Sequence, residues 1–62
     1  ILLVEVKETI KNKYYPREKE RNQFARIAQF AQSNNTQAEL WIYYRKGGGV
    51  PTEKEVRIIY SQ

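Results

Sequence analysis

The sequence predicts a small α/β (α+β) domain with the element order β-α-β-β. Three observations predict it. Two β-rich apolar segments, at residues 1–7 and 38–45, flank a stretch whose apolar residues recur at helical spacing. A third segment, residues 55–60, alternates with a period of two. Glycine and proline cluster at the joins between these segments.

Ile1 to Lys7 is the first strand. Along it Leu3, Glu5 and Lys7 share one face, and Leu2, Val4 and Val6 share the other. Residues 8–16 are polar with two tyrosines and read as an irregular connection that exposes Lys11, Lys13, Tyr14 and Tyr15. A helix runs from Arg17 to about Ser33. Pro16 suits a first helical turn, and Glu18 and Glu20 suit the positive end of the macrodipole. Phe24, Ile27, Ala28 and Ala31 make one apolar stripe, which Phe30 widens. Asn34-Asn35 ends the helix, because asparagine tolerates the left-handed capping conformation. Residues 38–45, aromatic and β-branched, form the second strand, with Trp41 expected in the packing of the sheet and core. Lys46-Gly47-Gly48-Gly49-Val50-Pro51 is a flexible loop, and residues 55–60 return as a third strand in a hairpin.

Length and composition bound the function. Sixty-two residues make one domain at most. A chain of this size buries only about 60% of the surface it exposes when unfolded. With no cysteine there is no disulfide. With no cysteine or histidine there is no thiolate or imidazole metal site, and Ser–His and Cys–His catalysis are excluded. Any metal must be a hard cation held by oxygen. Lack of cysteine fits a reducing, intracellular setting, cytoplasmic or nucleoid-associated. The net charge of +4 permits an anionic partner such as nucleic acid. No apolar run is long enough to span a membrane. The opening Ile1-Leu2-Leu3-Val4, without an initiator methionine, reads as the interior of a longer protein.

The chemistry centres on Glu5-Val6-Lys7. Residues two apart on a strand point the same way, about 7 Å apart along the chain. A carboxylate and an ammonium are thereby presented side by side. Phosphodiester hydrolysis uses such a pair. The carboxylate helps hold a Mg²⁺ that polarises the phosphate and acidifies a bound water. The lysine supports the hydroxide or the charge developing on the phosphate. An acid two residues before a lysine arises by chance about once in two or three chains of this size, and a surface ion pair is the plain alternative. This is the only such pattern in the chain.

A basic-aromatic loop, Lys11, Lys13, Tyr14, Tyr15 and Arg17, leaves the same strand and has the residue types that contact phosphates. The run Arg17-Glu18-Lys19-Glu20-Arg21 reads as a solvated helical turn with local ion pairs. Gly47-Gly48-Gly49 is no P-loop, since no Lys-Ser/Thr follows it; Arg45 and Lys46 beside it could touch a DNA backbone. Trp41, Tyr43 and Tyr44 could alternatively offer an aromatic row for dimer contact.

The context of Val4-Glu5-Val6-Lys7 resembles the second half of the catalytic motif of the PD-(D/E)xK, restriction-endonuclease-like nuclease superfamily, most closely the archaeal Holliday-junction resolvases. There the acid-x-Lys strand is followed by a polar loop and a helix with a glutamine near its start. An apolar stripe ending in Phe-Ala, a polar turn and an Ala-led strand come next. Here the run is Gln23, Phe24, Ile27, Phe30-Ala31, Asn34-Asn35 and Ala38 through Tyr43. The resemblance implies a mixed sheet flanked by helix and a Mg²⁺- (or Mn²⁺-) dependent DNA endonuclease working as a homodimer. It makes Glu5 a metal ligand, Lys7 the catalytic lysine and Gln23 a neighbour of the site, and has Val6 offer a carbonyl to the metal. The family's first acid and its N-terminal helix lie before the equivalent of Glu5. Residues 1–62 then form a single domain that is a partial nuclease core, and the chain alone is expected to be inactive. The alternatives are a non-catalytic nucleic-acid-binding module and a small dimerisation domain.

Overall fold

A computed structural model describes all residues from Ile1 to Gln62. It contains β1 (Leu2–Thr9), α1 (Glu18–Ser33), β2 (Gln37–Tyr44), a short 3-10 turn (Lys46–Gly48) and β3 (Glu53–Tyr60). The three strands form one mixed sheet in the order β1-β2-β3. β1 and β2 pair in parallel, with Glu5 opposite Leu40 and Lys7 opposite Ile42. β2 and β3 pair antiparallel, with Ile42 opposite Glu55 and Leu40 opposite Arg57. A parallel pair needs a crossover, and α1 supplies it. The fold is therefore α+β: a three-stranded mixed sheet with one helix on one face.

Alternation assigns the two faces of the sheet. Ala38, Leu40, Ile42 and Tyr44 of β2 are buried on the helix side. With Tyr14 of the connecting loop, Leu40, Ile42 and Tyr44 make the core, against which Phe24 and Ile59 pack. Ala31 and Ala38 are fully buried. Their small side chains let the end of α1 approach the start of β2, where the Thr36 N–H donates to the Ala31 carbonyl at 3.0 Å. The helix closes at Asn34, and Asn35 takes the left-handed conformation (φ 51°) expected of that pair. Gly47 and Gly48 also take positive φ, which turns the chain between β2 and β3.

Packing of α1 falls on β2 and β3 and hardly reaches β1. This offset has two consequences. It leaves the helix-side face of β1 half-exposed, and it leaves Phe30 58% exposed at the end of the helical stripe instead of covered. The opposite face of the sheet has no layer over it. Val4, Val6, Val56 and Ile58 are exposed there. Trp41 sits among them, half-buried, with the Lys54 ammonium 4.1 Å above its ring and its indole N–H donated to Glu39 at 2.9 Å. Trp41 thus packs on the open face of the sheet and not in the core, because Leu40 and Ile42 on either side take the helix side.

The strands differ slightly from the sequence reading. β1 continues to Thr9, since the Thr9 carbonyl accepts the Arg45 N–H at 2.8 Å and extends the pairing beyond Lys7. β3 starts at Glu53, two residues earlier than expected. Pro16 lies one residue before the N-cap Arg17, outside the first turn. No helix is long and apolar enough to cross a membrane.

Candidate active site

Three predicted site residues meet. Glu5 and Lys7 project from β1 toward the helix side, each about a quarter exposed. Gln23 reaches them from α1. Its amide nitrogen donates to Glu5 Oε2 at 3.3 Å, and its amide oxygen accepts from Lys7 Nζ at 3.2 Å. Lys7 Nζ and Glu5 Oε2 are 3.7 Å apart. One amide therefore bridges a carboxylate and an ammonium and sets the orientation of both. Glu5 Oε1 accepts no hydrogen bond. Beside Glu5 runs a groove of about 240 Å³ lined by Leu3, Val4, Ile27 and Phe30, open because α1 stops short of β1.

One helical turn before Gln23 stands Glu20, so the two side chains lie on neighbouring parts of one helix face. Its Oε1 accepts the Arg17 N–H at 2.9 Å, the return half of a capping box. Its Oε2 accepts the Tyr14 hydroxyl at 2.8 Å. The Arg17 N–H and then the Tyr14 hydroxyl hold the Glu20 carboxyl below its usual range, with the charge of Lys7 adding to the shift. Sequence reasoning gave Glu20 only a helix-end role. Its spacing of three from Gln23 was the available signal.

Tyr14 corrects an expectation. It is not exposed with its neighbours: it is 7% exposed and part of the core. Its N–H donates to the Tyr44 hydroxyl at 3.3 Å, and its carbonyl accepts from Arg57 Nη2 at 2.9 Å. Burial first, and then the Glu20 carboxylate, push its hydroxyl well above the usual tyrosine range. Tyr14 fastens the loop to the sheet and offers no face to a DNA strand. Lys11, Lys13, Tyr15 and Arg17 remain at the surface. They border a hollow of about 150 Å³ together with Glu8 and Glu20. Tyr15 is exposed, with the Lys13 ammonium 6.0 Å from its ring centre.

Arg45 and Lys46 follow the end of β2, Arg45 adjoining this cluster through Glu8 and Thr9 and Lys46 lying on the turn to β3. Arg45 is 3.7 Å from Glu8, and Lys46 is 2.8 Å from Glu53. Both cations are therefore paired with a carboxylate.

At Glu5 the one side-chain donor for a hard cation is its own carboxylate, since the Gln23 amide turns its nitrogen to Glu5 and its oxygen to Lys7. Mg²⁺ is commonly bound by one or two carboxylates together with waters and substrate phosphates; here a single carboxylate is present, with the Lys7 ammonium 3.7 Å from it. No group of three His, Cys, Asp or Glu side chains comes together anywhere in the chain. No protein family, curated protein or solved structure matches this chain.

Proposed function

We propose that this chain carries the carboxylate-and-lysine part of the active site of a Mg²⁺-dependent DNA endonuclease of the PD-(D/E)xK class, acting on branched DNA such as a Holliday junction. The observation that carries the proposal is the bridging of Glu5 and Lys7 by Gln23. Residues 16 and 18 positions apart converge on one half-open spot at the edge of a sheet.

In this reading Glu5, and the Val6 carbonyl beside it, would hold Mg²⁺ or Mn²⁺, which when bound polarises a phosphate and acidifies a water. Lys7 places a positive charge where negative charge develops on the phosphate oxygens. Gln23 keeps the two side chains in register, so neither has to be ordered when substrate arrives. Lys11, Lys13 and Arg17 neutralise backbone phosphates on the flank, and Tyr15 stacks or donates there. A homodimer would present two such sites to the two strands of a junction. One carboxylate is too little charge to fix a catalytic Mg²⁺ by itself. Residues 1–62 alone are therefore expected to bind DNA without cutting it.

A second reading is a non-catalytic nucleic-acid-binding module. It is favoured by the way Glu5, Gln23 and Lys7 already satisfy one another. It predicts salt-sensitive DNA binding that divalent ions leave unchanged.

The test is nicking of a four-way junction and of a linear duplex, with Mg²⁺ or EDTA, by the full gene product and by residues 1–62. Metal-dependent cutting by the full product, abolished by Glu5→Ala and by Lys7→Ala with binding retained, is the expected result. Cutting that survives both substitutions overturns the assignment. Binding without any cutting selects the second reading.

A further inference from the structure

We propose that a second copy of this chain adds to the outer edge of β1, antiparallel, with Val6 on the two-fold axis and each Glu5 opposite the partner's Lys7. The inference goes beyond the proposed function: it requires no metal and no DNA, and it stands or falls without them.

It starts from the backbone. β1 ends the sheet, with β2 on one side only. The Thr9 carbonyl turns to β2 and accepts the Arg45 N–H. Backbone groups alternate along a strand, so Leu2, Val4, Val6 and Glu8 turn theirs to the outer edge. Short length, proline and bulges are usual means of blunting an edge. β1 has none of them: it is eight residues long, holds no proline and pairs with β2 without a register shift. Its Leu2, Val4 and Val6 are exposed on the open face. On the other face α1 lies over β2 and β3. A two-fold axis normal to the sheet therefore keeps both helices clear of the seam.

Charge chooses the register. Centred on Glu5 or on Lys7, the pairing sets like charges directly opposite each other. Centred on Val4, it sets Glu5 opposite Leu3. Centred on Val6, it sets each Glu5 opposite the partner's Lys7, twice over by symmetry. Val6 then faces its own copy in a hydrogen-bonded pair. The Glu5–Lys7 pairs fall at the non-hydrogen-bonded positions, where α-carbons are about 4.5 Å apart and side chains meet most closely. Both groups have capacity to spare. Glu5 Oε1 accepts no hydrogen bond, and the Lys7 ammonium, with three protons, has only Gln23 and Glu5 as partners. The same register brings exposed Leu2 opposite the partner's exposed Ile10. The contact is isologous and closed, and it joins two three-stranded sheets into one.

The experiment uses the full gene product, in sedimentation equilibrium and NMR. A concentration-dependent dimer is expected. Lys7→Glu and Glu5→Lys, made singly, each set like charges opposite at the axis and should raise the dissociation constant at least about tenfold. Glu5→Lys combined with Lys7→Glu restores opposite charges and should return it to within about threefold of the parent. In a mixture of carbon-13-labelled and unlabelled chains, an NOE should join Glu5 Hα of one copy to Lys7 Hα of the other. Within one chain these residues are about 7 Å apart, so the signal reports the pairing. A monomer at millimolar concentration overturns the inference. A dimer that neither single reversal weakens overturns it and places the contact elsewhere. NOEs from the Val6 N–H to another segment of the same chain also overturn it, the edge then being filled from within. Should a single reversal unfold the protein, read by Trp41 fluorescence, the NOE in the unsubstituted protein decides alone.

Discussion

Two edge strands carry nearly the same tripeptide, and the fold uses them differently. β1 has Glu5-Val6-Lys7 and β3 has Glu55-Val56-Arg57. Both place an acid and a base on the helix side of the sheet, against the same two residues of β2, Leu40 and Ile42. Exposure does not separate them, for the Glu5–Lys7 pair is the less exposed of the two. Saturation does. Arg57 grips Glu55 through both Nε and Nη2 and also donates to the Tyr14 carbonyl, with its guanidinium 5.6 Å from the Tyr14 ring centre. Glu55 further accepts the Tyr44 hydroxyl. The Glu5–Lys7 pair is looser, held by one amide, and leaves an oxygen free. A planar guanidinium forks around a carboxylate and closes the cluster; a lysine is a mobile point charge that can change partners. The Arg cluster is closed on itself and ties the loop to the sheet, whereas the Lys cluster is held by one amide and keeps a carboxylate oxygen without a partner.

The largest effect tests the floor the two clusters share. Ile42 is fully buried between them. Ile42→Ala should cost about 2–5 kcal/mol in denaturant unfolding and disorder both clusters. Next, Arg57→Met keeps the apolar stem and removes the fork. It should cost about 1–3 kcal/mol and loosen residues 10–16, read as faster amide exchange at Tyr14. Tyr14→Phe removes one hydroxyl bond and should cost about 0.5–1.5 kcal/mol. Lys7→Met, at the open cluster, should change stability by less than about 0.5 kcal/mol.

pH sharpens the comparison. Hydrogen bonds from Arg57 and then Tyr44 lower the Glu55 carboxyl, as the Arg17 N–H and Tyr14 lower that of Glu20. Both are lower folded than unfolded, so their stabilisation is full above the ordinary carboxylate range and fades as pH falls below about 4.5. Tyr14 and Tyr44 are raised, mainly by burial, so their contribution is full below pH 10 and fades above it. With no histidine present, thermal stability should be flat between about pH 6 and 9, and Arg57→Met should flatten the acid limb.

The elements were legible because each has a local cause: alternation on β1 and β3, a helical stripe on α1, asparagines at its end. Alternation also put Glu5 and Lys7 on one face, and the family resemblance singled out Gln23. What could not be read depends on contacts distant in sequence. Tyr14 sits in a polar run, and its burial is decided by Tyr44 and Arg57, thirty and forty-three residues away. Trp41 lies in a strand apolar at nearly every position, so periodicity cannot say which face it takes; pairing and the helix decide. Phe30 fits the stripe, yet α1 lies over β2 and β3, and nothing covers it. Glu55-Val56-Arg57 was read only as strand alternation, since its partners come from the loop and from β2.

The most direct measurement compares Glu5→Gln with Glu55→Gln in the full gene product in paired experiments, thermal unfolding and Mn²⁺ titration followed by NMR broadening. The account predicts that Glu55→Gln lowers the melting temperature and leaves Mn²⁺ binding in place. Glu5→Gln should leave the melting temperature near that of the parent and abolish Mn²⁺ binding. Equal loss of stability from both, with Mn²⁺ binding indifferent to Glu5, would contradict it and make Glu5 and Lys7 a second structural ion pair.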